Sequence, residues 1–178
     1  TMFASGGALT NPMLVRQVIT PKGETIQYQN KSRQVNTPQQ IYLMTSILKD
    51  VVSHGTGTAA RVGGIEIAGK TGTTNKNVDA WFVGYSPTVE TVVWFGHDNN
   101  TPMRRSETGG RAAGPVFRYY YEDMLRIYPN TKRYFDVPAG VYQAPTDDQN
   151  GSETFTDTSV APDATQEEAP KTEEKLLF

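Results

Sequence analysis

The clearest helical stripe in the chain runs through residues 38–54, where Ile41, Met44, Ile47, Leu48, Val51 and Val52 recur at helical spacing. Thr37-Pro38 supplies a capping hydroxyl and a proline at the first helical position, and His54-Gly55 ends the stripe. A second helix is predicted over 115–128, opened by Gly114-Pro115 and stopped by Pro129-Asn130. Its apolar face is Val116, Phe117, Tyr120, Met124 and Ile127. Between the helices lie a small-residue loop or short helical turn at 55–61 and three strand-like segments at 65–73, 79–85 and 91–96. The link 86–90 is short, so the last two segments should pair as antiparallel neighbours. Both are nearly continuous apolar runs, which predicts a sheet covered by helices on both faces. Upstream, Met13–Ile19 and Thr25–Tyr28 flank a Pro21-Lys22-Gly23-Glu24 turn and read as a small surface hairpin. The opening Thr1-Met2-Phe3-Ala4-Ser5-Gly6-Gly7 reads as a helix end stopped by glycine, the expected start of a piece cut from something longer.

Composition changes this picture at one end. The apolar fraction is 37%, low for a chain folded throughout. Residues 1–140 hold 15 Lys or Arg against 10 Asp or Glu, whereas 141–178 hold 2 against 9. The expected division is a mildly basic folded part, 1–140, and an acidic disordered tail, 141–178, too poor in apolar residues to offset its ordering entropy. The net charge of −2 hides that split and gives no argument for nucleic acid as a partner. The chain has no cysteine, which excludes disulfides, Cys-ligated zinc and thiol nucleophiles. Its two histidines, His54 and His97, are not at ligand spacing, so no metal or other cofactor is expected. No apolar run approaches the roughly 20 residues that span a membrane.

Two motifs compete for the same residues. Gly64-Ile65-Glu66-Ile67-Ala68-Gly69-Lys70-Thr71 fits the P-loop pattern, a nucleotide-binding reading. A P-loop needs a buried strand before it, a flexible cradle, and a helix starting at Lys-Thr. Here the cradle positions are Ile-Glu-Ile-Ala, which favour an extended strand, and Gly72-Thr73-Thr74-Asn75-Lys76-Asn77 is a turn sequence. The other reading places Lys70-Thr71-Gly72 at the end of an edge strand. Lys-Thr-Gly accompanies Ser-x-x-Lys and Ser-Asp-Asn in penicillin-binding proteins and class A β-lactamases.

The flanking residues favour the second reading. Leu43-Met44-Thr45-Ser46, Gly55-Thr56-Gly57-Thr58-Ala59-Ala60, Gly69-Lys70-Thr71-Gly72-Thr73-Thr74-Asn75 and Asp79-Ala80-Trp81-Phe82-Val83-Gly84-Tyr85 together resemble the transpeptidase domain of class A, bifunctional penicillin-binding proteins. The resemblance runs from about Thr1 to Tyr128 and is strongest over 55–96. It implies an α/β (α+β) chain of the penicilloyl-serine transferase fold, an antiparallel sheet flanked by helices, with only the C-terminal portion present. It also implies a D,D-transpeptidase acting on peptidoglycan stem peptides that end in D-Ala-D-Ala. The reaction passes through a serine acyl-enzyme, which β-lactams also form. The implied setting is the periplasmic face of the bacterial inner membrane, with an anchor and a glycosyltransferase domain outside this chain.

Within that scheme Lys70 attracts the substrate carboxylate and helps move the leaving-group proton. Thr71 and Thr73 offer hydroxyls to the carboxylate, and Gly72 lets the ligand lie against the strand, which Thr74 continues. The N–H of Thr73 is one oxyanion-hole donor. The departure from the family is that no Ser-x-x-Lys nucleophile and no Ser-x-Asn motif can be assigned. Ser46-Ile47-Leu48-Lys49 fits the first literally, but it lies inside the first helix and only about two dozen residues before Lys70, too close to the strand. The chain alone is therefore expected to be inactive. The rest of its own transpeptidase domain, in the same or another chain, is the expected partner. Alternatives are a β-lactamase or carboxypeptidase of the same fold, a nucleotide-binding module at 64–71, and a non-catalytic fragment that binds a partner through the acidic tail.

Overall fold

The computed structural model describes residues 2–145 and 152–159. The chain divides into two compact units, Thr1–Pro138 and Ala139–Phe178. In the first, β1 (Ala8–Thr10) pairs with β4 (Ser32–Gln34), and β2 (Gln17–Ile19) pairs with β3 (Thr25–Gln27) as the expected surface hairpin. Just before β1, Gly6 N–H donates to the Phe3 carbonyl at 3.3 Å and Gly7 N–H to that of Met2 at 2.9 Å, the bond pair with which helices terminate.

Helix α1 (Pro38–Ser53) starts where its sequence dictates. The Thr37 hydroxyl accepts from Gln40 N–H at 3.3 Å and the Gln40 side chain accepts from Thr37 N–H at 3.1 Å, a reciprocal capping box. One 3-10 turn, Thr58–Ala60, follows. The three-stranded sheet is β5 (Ala68–Thr73), β6 (Asp79–Tyr85) and β7 (Glu90–Gly96), antiparallel in that order, with Gly72 opposite Trp81 and Trp81 opposite Trp94. A π-helical turn, Gly109–Ala113, leads into helix α2 (Gly114–Ile127).

Each helix buries only part of its predicted stripe on one face of this sheet: Ile47 of α1 and Val116, Tyr120 and Ile127 of α2 are exposed, and on α2 Tyr121 takes a core place beside Phe117 and Met124 that the predicted face did not include. Val52 of α1, Phe82 of β6, and Phe117, Tyr121 and Met124 of α2 share one core with Ala60, Val62, Ile65 and Ile67. Phe82 meets Phe117 edge-on at 4.7 Å, and Phe117 stacks on Tyr121 at 4.4 Å. Each such ring removes a large apolar area from water, so these three anchor the layer. Burial pushes the Tyr121 phenol up from its ordinary pKa, and the Tyr121 hydroxyl donates to the Val89 carbonyl at 2.6 Å.

Three expectations need correction. The first strand begins at Ala68, not at 65, because Gly63 and Gly64 form a turn, with Gly64 at φ 75°, and residues 65–67 follow it outside the ladder. The sheet is also not covered on both faces by the described residues. Phe82, Ala80 and Gly84 are buried, but Trp81, Val83, Val92 and Trp94 on the opposite face are 37–54% exposed. A continuous apolar run does not distinguish these cases, since it reads the same whether or not its second face has a cover. Finally, the segment expected to be disordered from 141 holds a strand pair, β8 (Val141–Pro145) with β9 (Ser152–Thr156), on which Tyr142 and Phe155 stack at 5.8 Å. A single cross-strand aromatic pair supports a ladder that is too small to show as a core in composition. The rest of that tail lies outside the described residues.

Glu66 ties this layer together. Its carboxylate accepts from Lys49 Nζ at 2.5 Å and from Phe135 N–H at 2.8 Å, while its N–H donates to the Arg133 carbonyl at 2.8 Å. The ion pair is about 70% buried on both sides, so water competes for it only partly. Removing the carboxylate strands a lysine and a backbone donor. Glu66→Ala should therefore lower folding stability by roughly 1.5–3 kcal/mol, read as a shift in urea midpoint. A loss below about 0.5 kcal/mol, the level of an ordinary surface change, would contradict this account.

Candidate active-site strand

Strand β5 lies at the edge of the sheet, with β6 as its one partner among the described residues. Thr74 N–H donates to the Asp79 carbonyl at 3.1 Å, which sets the phase of the ladder. In an antiparallel pair the backbone groups of alternate residues face the partner. Those of Thr74, Gly72 and Lys70 therefore face β6, and those of Thr73 and Thr71 face the free edge. The Thr73 N–H is thus on the open side, where sequence reasoning needed it.

Side chains alternate across the two faces. Lys70 and Gly72 share the exposed face with Val83 and Trp81, while Thr71 and Thr73 share the helix-side face with Phe82 and Ala80. The exposed Lys70 bends round the edge. Its Nζ donates to the Thr71 carbonyl at 3.0 Å and to the Thr71 hydroxyl at 3.3 Å. That hydroxyl is 2.7 Å from the hydroxyl of Thr56. The Thr73 hydroxyl accepts from Gly109 N–H at 3.1 Å, which leaves its own proton free to donate. A cleft of about 450 Å³ opens beside these groups, lined by Thr56, Thr71, Thr73, Thr108, Gly110 and Arg111 among others.

Close backbone approach builds the cleft wall. A Cβ on Gly109 would collide with the carbonyls of Trp81 and Gly72, the latter at 2.6 Å. Only a residue without a side chain lets the π-helical turn press on the β5–β6 pair. Lys70 and Thr71 sit inside a strand, with a turn rather than a helix after them. The nucleotide-binding reading at 64–71 therefore lacks the helix N-terminus its chemistry needs.

The connection after the strand is held rigidly. Lys76 and Asn77 have φ of 63° and 60°, a left-handed conformation that costs energy for any residue but glycine. Hydrogen bonds offset that cost. Asn77 Nδ2 donates to the carbonyls of Arg104 at 2.6 Å and Glu107 at 3.1 Å. Asp79 accepts from the Thr74 hydroxyl at 3.1 Å and from Trp94 Nε1 at 2.9 Å. Trp81 and Trp94, in the two apolar runs expected to be covered on both faces, form instead a tilted pair at 6.0 Å on the exposed face. Ser46 does not line the Thr71–Thr73 cleft, and the ammonium of Lys49 is taken by Glu66, so the literal Ser-x-x-Lys match has no activated lysine. No group of His, Asp or Glu among the described residues could hold a metal ion.

Sequence reasoning singled out Lys70, Thr71, Gly72, Thr73 and Thr74; the structure sets the first four at the end of β5 and Thr74 just past it, ahead of the turn at 75–77. It missed Thr108, Gly109 and Arg111. The doubled glycine at 109–110 was the available signal, because two adjacent glycines before a helix mark a place where backbone must come close.

An antiparallel sheet carrying helices on one face, with Lys-Thr-Gly on its edge strand, is the frame of a penicilloyl-serine transferase. Residues 1–122 match the penicillin binding protein transpeptidase domain, and the chain belongs to that family. It is 38% identical over 148 residues to penicillin-binding protein 1A of Neisseria lactamica, an alignment covering 79% of this chain and 18% of that protein. Penicillin-binding protein 1A of Haemophilus influenzae superposes with a TM-score of 0.71 at 18% identity, covering 90% of this chain and 31% of that one. The imipenem acyl-enzyme complex of penicillin-binding protein A from M. tuberculosis superposes with a TM-score of 0.54 at 27% identity, covering 70% of this chain and 29% of that one. The chain spans less than a fifth of the length of the curated relatives it matches.

Removal of the Asp79 carboxylate releases both Thr74 and Trp94. Asp79→Ala should cost about 1–2 kcal/mol, and Asp79→Asn, which keeps one acceptor oxygen, should cost less. Urea denaturation of the two variants checks the order; equal losses would show that the carboxylate does not hold the turn.

Proposed function

We propose that this chain is the substrate-binding wall of a peptidoglycan D,D-transpeptidase, which cross-links stem peptides through a serine acyl-enzyme and is inactivated by β-lactams. The observation that carries the reading is the free edge of β5, where the Thr73 N–H, the hydroxyls of Thr71 and Thr73, and Lys70 gather beside one cleft. A strand edge can take an extended peptide by hydrogen bonding. An N–H that faces out from that edge can stabilise the oxyanion of acyl transfer, a contribution of about 10²–10³ in rate per donor.

Lys70 supplies positive charge and a proton route to the leaving group. Thr71 and Thr73 take the terminal carboxylate, Gly72 admits the ligand, and Thr74 borders it just past the strand end. The nucleophilic serine comes from the rest of the transpeptidase domain, in the same or another chain. The uncovered Trp81–Trp94 face supports that arrangement, since a paired aromatic and β-branched patch in water is an interface in waiting. The M. tuberculosis protein in its imipenem acyl-enzyme complex shares enough sequence and fold to support β-lactam binding. The reading includes a bifunctional class A protein with its site on the periplasmic face of the cell membrane; likeness to the 1A penicillin-binding relatives supports it. Among the described residues no helix is long and apolar enough to cross a membrane.

The test is to label the full-length protein that carries this chain with a fluorescent penicillin and map the adduct. The expected adduct is on a serine outside residues 1–178. No adduct, together with ATP binding that depends on Lys70, would sink the reading. An adduct on Ser46 would place the nucleophile in α1 and overturn the assignment of roles.

A further inference from the structure

The cleft beside Thr71 and Thr73 has one charged lining residue, and nothing in the scheme above uses it. Arg111 lies in the π-helical turn ahead of α2 and lines the same cleft as Thr56, Thr71, Thr73 and Thr108. The arginines elsewhere in the helical layer are occupied. Arg61 donates to the Ser53 carbonyl, Arg118 pairs with Glu122, Arg126 with Asp123, and Arg133 with the carbonyls of Gly64 and Pro129. The Arg111 guanidinium has no hydrogen bond or ion pair among the described residues.

The turn that carries it has little room to shift. Gly109 N–H is bonded to the Thr73 hydroxyl, and Arg111 N–H to the Thr108 carbonyl at 3.0 Å. A Cβ on Gly110 would come within 2.5 Å of the Thr56 carbonyl. The backbone at 109–111 is thus fixed against both strand β5 and the 55–58 loop, and it carries the exposed Arg111 at the rim of the cleft. A guanidinium presents a planar fork of donors that matches a carboxylate at two points, whereas the threonine hydroxyls offer single bonds.

We propose that Arg111 is a specificity-determining residue that binds the terminal carboxylate of the stem peptide, and of a penicillin, together with the hydroxyls of Thr71 and Thr73. The proposal rests on the transpeptidase reading and deepens it. Lys70, 3.3 Å from the Thr71 hydroxyl on the strand edge, is then left to the reacting end of the substrate, and Arg111 takes the distal charge. Two cations with separate tasks explain why a cleft so rich in hydroxyls carries an unpaired arginine as well.

The experiment compares acylation of the full-length protein and its Arg111→Ala and Arg111→Lys variants by benzylpenicillin and by its methyl ester, each in competition with a fluorescent penicillin. Arg111→Ala should slow acylation by the acid about tenfold or more, the loss of one charge-assisted contact, and leave the rate with the ester unchanged within about twofold, near the limit of a surface change. Arg111→Lys should fall between, since it restores charge but not the fork. Equal slowing of acid and ester would show that Arg111 acts only on the structure of the turn, and no slowing of either would show that it is not in the site; both overturn the proposal. A wild-type protein that takes neither penicillin would overturn the transpeptidase reading itself, and this proposal with it.

Discussion

Strand β5 is hydrogen-bonded to β6 along one edge, and the usefulness of every residue around it depends on the other edge staying open. An unpaired edge presents N–H and C=O groups in register, ready to accept another chain. In most proteins that is a liability. Here it is flanked by a lysine that bends round the edge and by a turn whose glycines press against one face. The edge thereby carries a charge, and the cleft beside it is lined with hydroxyls.

The rest of the unit serves to hold that strand still. Phe82 of β6 packs on Phe117 of α2, which stacks on Tyr121, in a core that also takes in Val52 of α1, and this packing resists sliding of the partner strand. Glu66 joins α1 to the segment after α2 and fixes the chain just before β5. After β5, Asn77 and Asp79 brace a turn that two left-handed residues would otherwise destabilise. Rigid support on both sides of the strand is what its proposed role, preorganised stabilisation of a developing oxyanion, requires.

Much of this was legible in the chain. Helix α1 was bounded at both ends because its signals are local: a Thr-Pro cap, a stripe of six apolar residues and a His-Gly stop. The pairing of β6 with β7 followed from the short link between them. Lys70 to Thr74 were singled out because their neighbours resemble a family, not because the tripeptide is informative. What escaped was non-local. Whether Trp81 and Trp94 face a core or solvent depends on what covers the sheet, and a run of apolar residues contains no such information. Arg111 reaches the cleft through close approaches of Gly109 and Gly110 to Trp81, Gly72 and Thr56, residues far back along the chain, a relation no window of sequence displays. The tail hairpin escaped because Tyr142 and Phe155 pair across a segment whose composition is acidic and polar.

The most direct test of the account is a crystal structure of the full-length protein acylated by a penicillin. The acyl carbonyl oxygen should lie within about 2.7–3.1 Å of the Thr73 N–H, with the penicillin carboxylate on the hydroxyls of Thr71 and Thr73. A covalent adduct whose carbonyl oxygen points away from the β5 edge, or whose ring lies over Trp81 and Trp94, would contradict the claim that the free edge of this strand is the working surface.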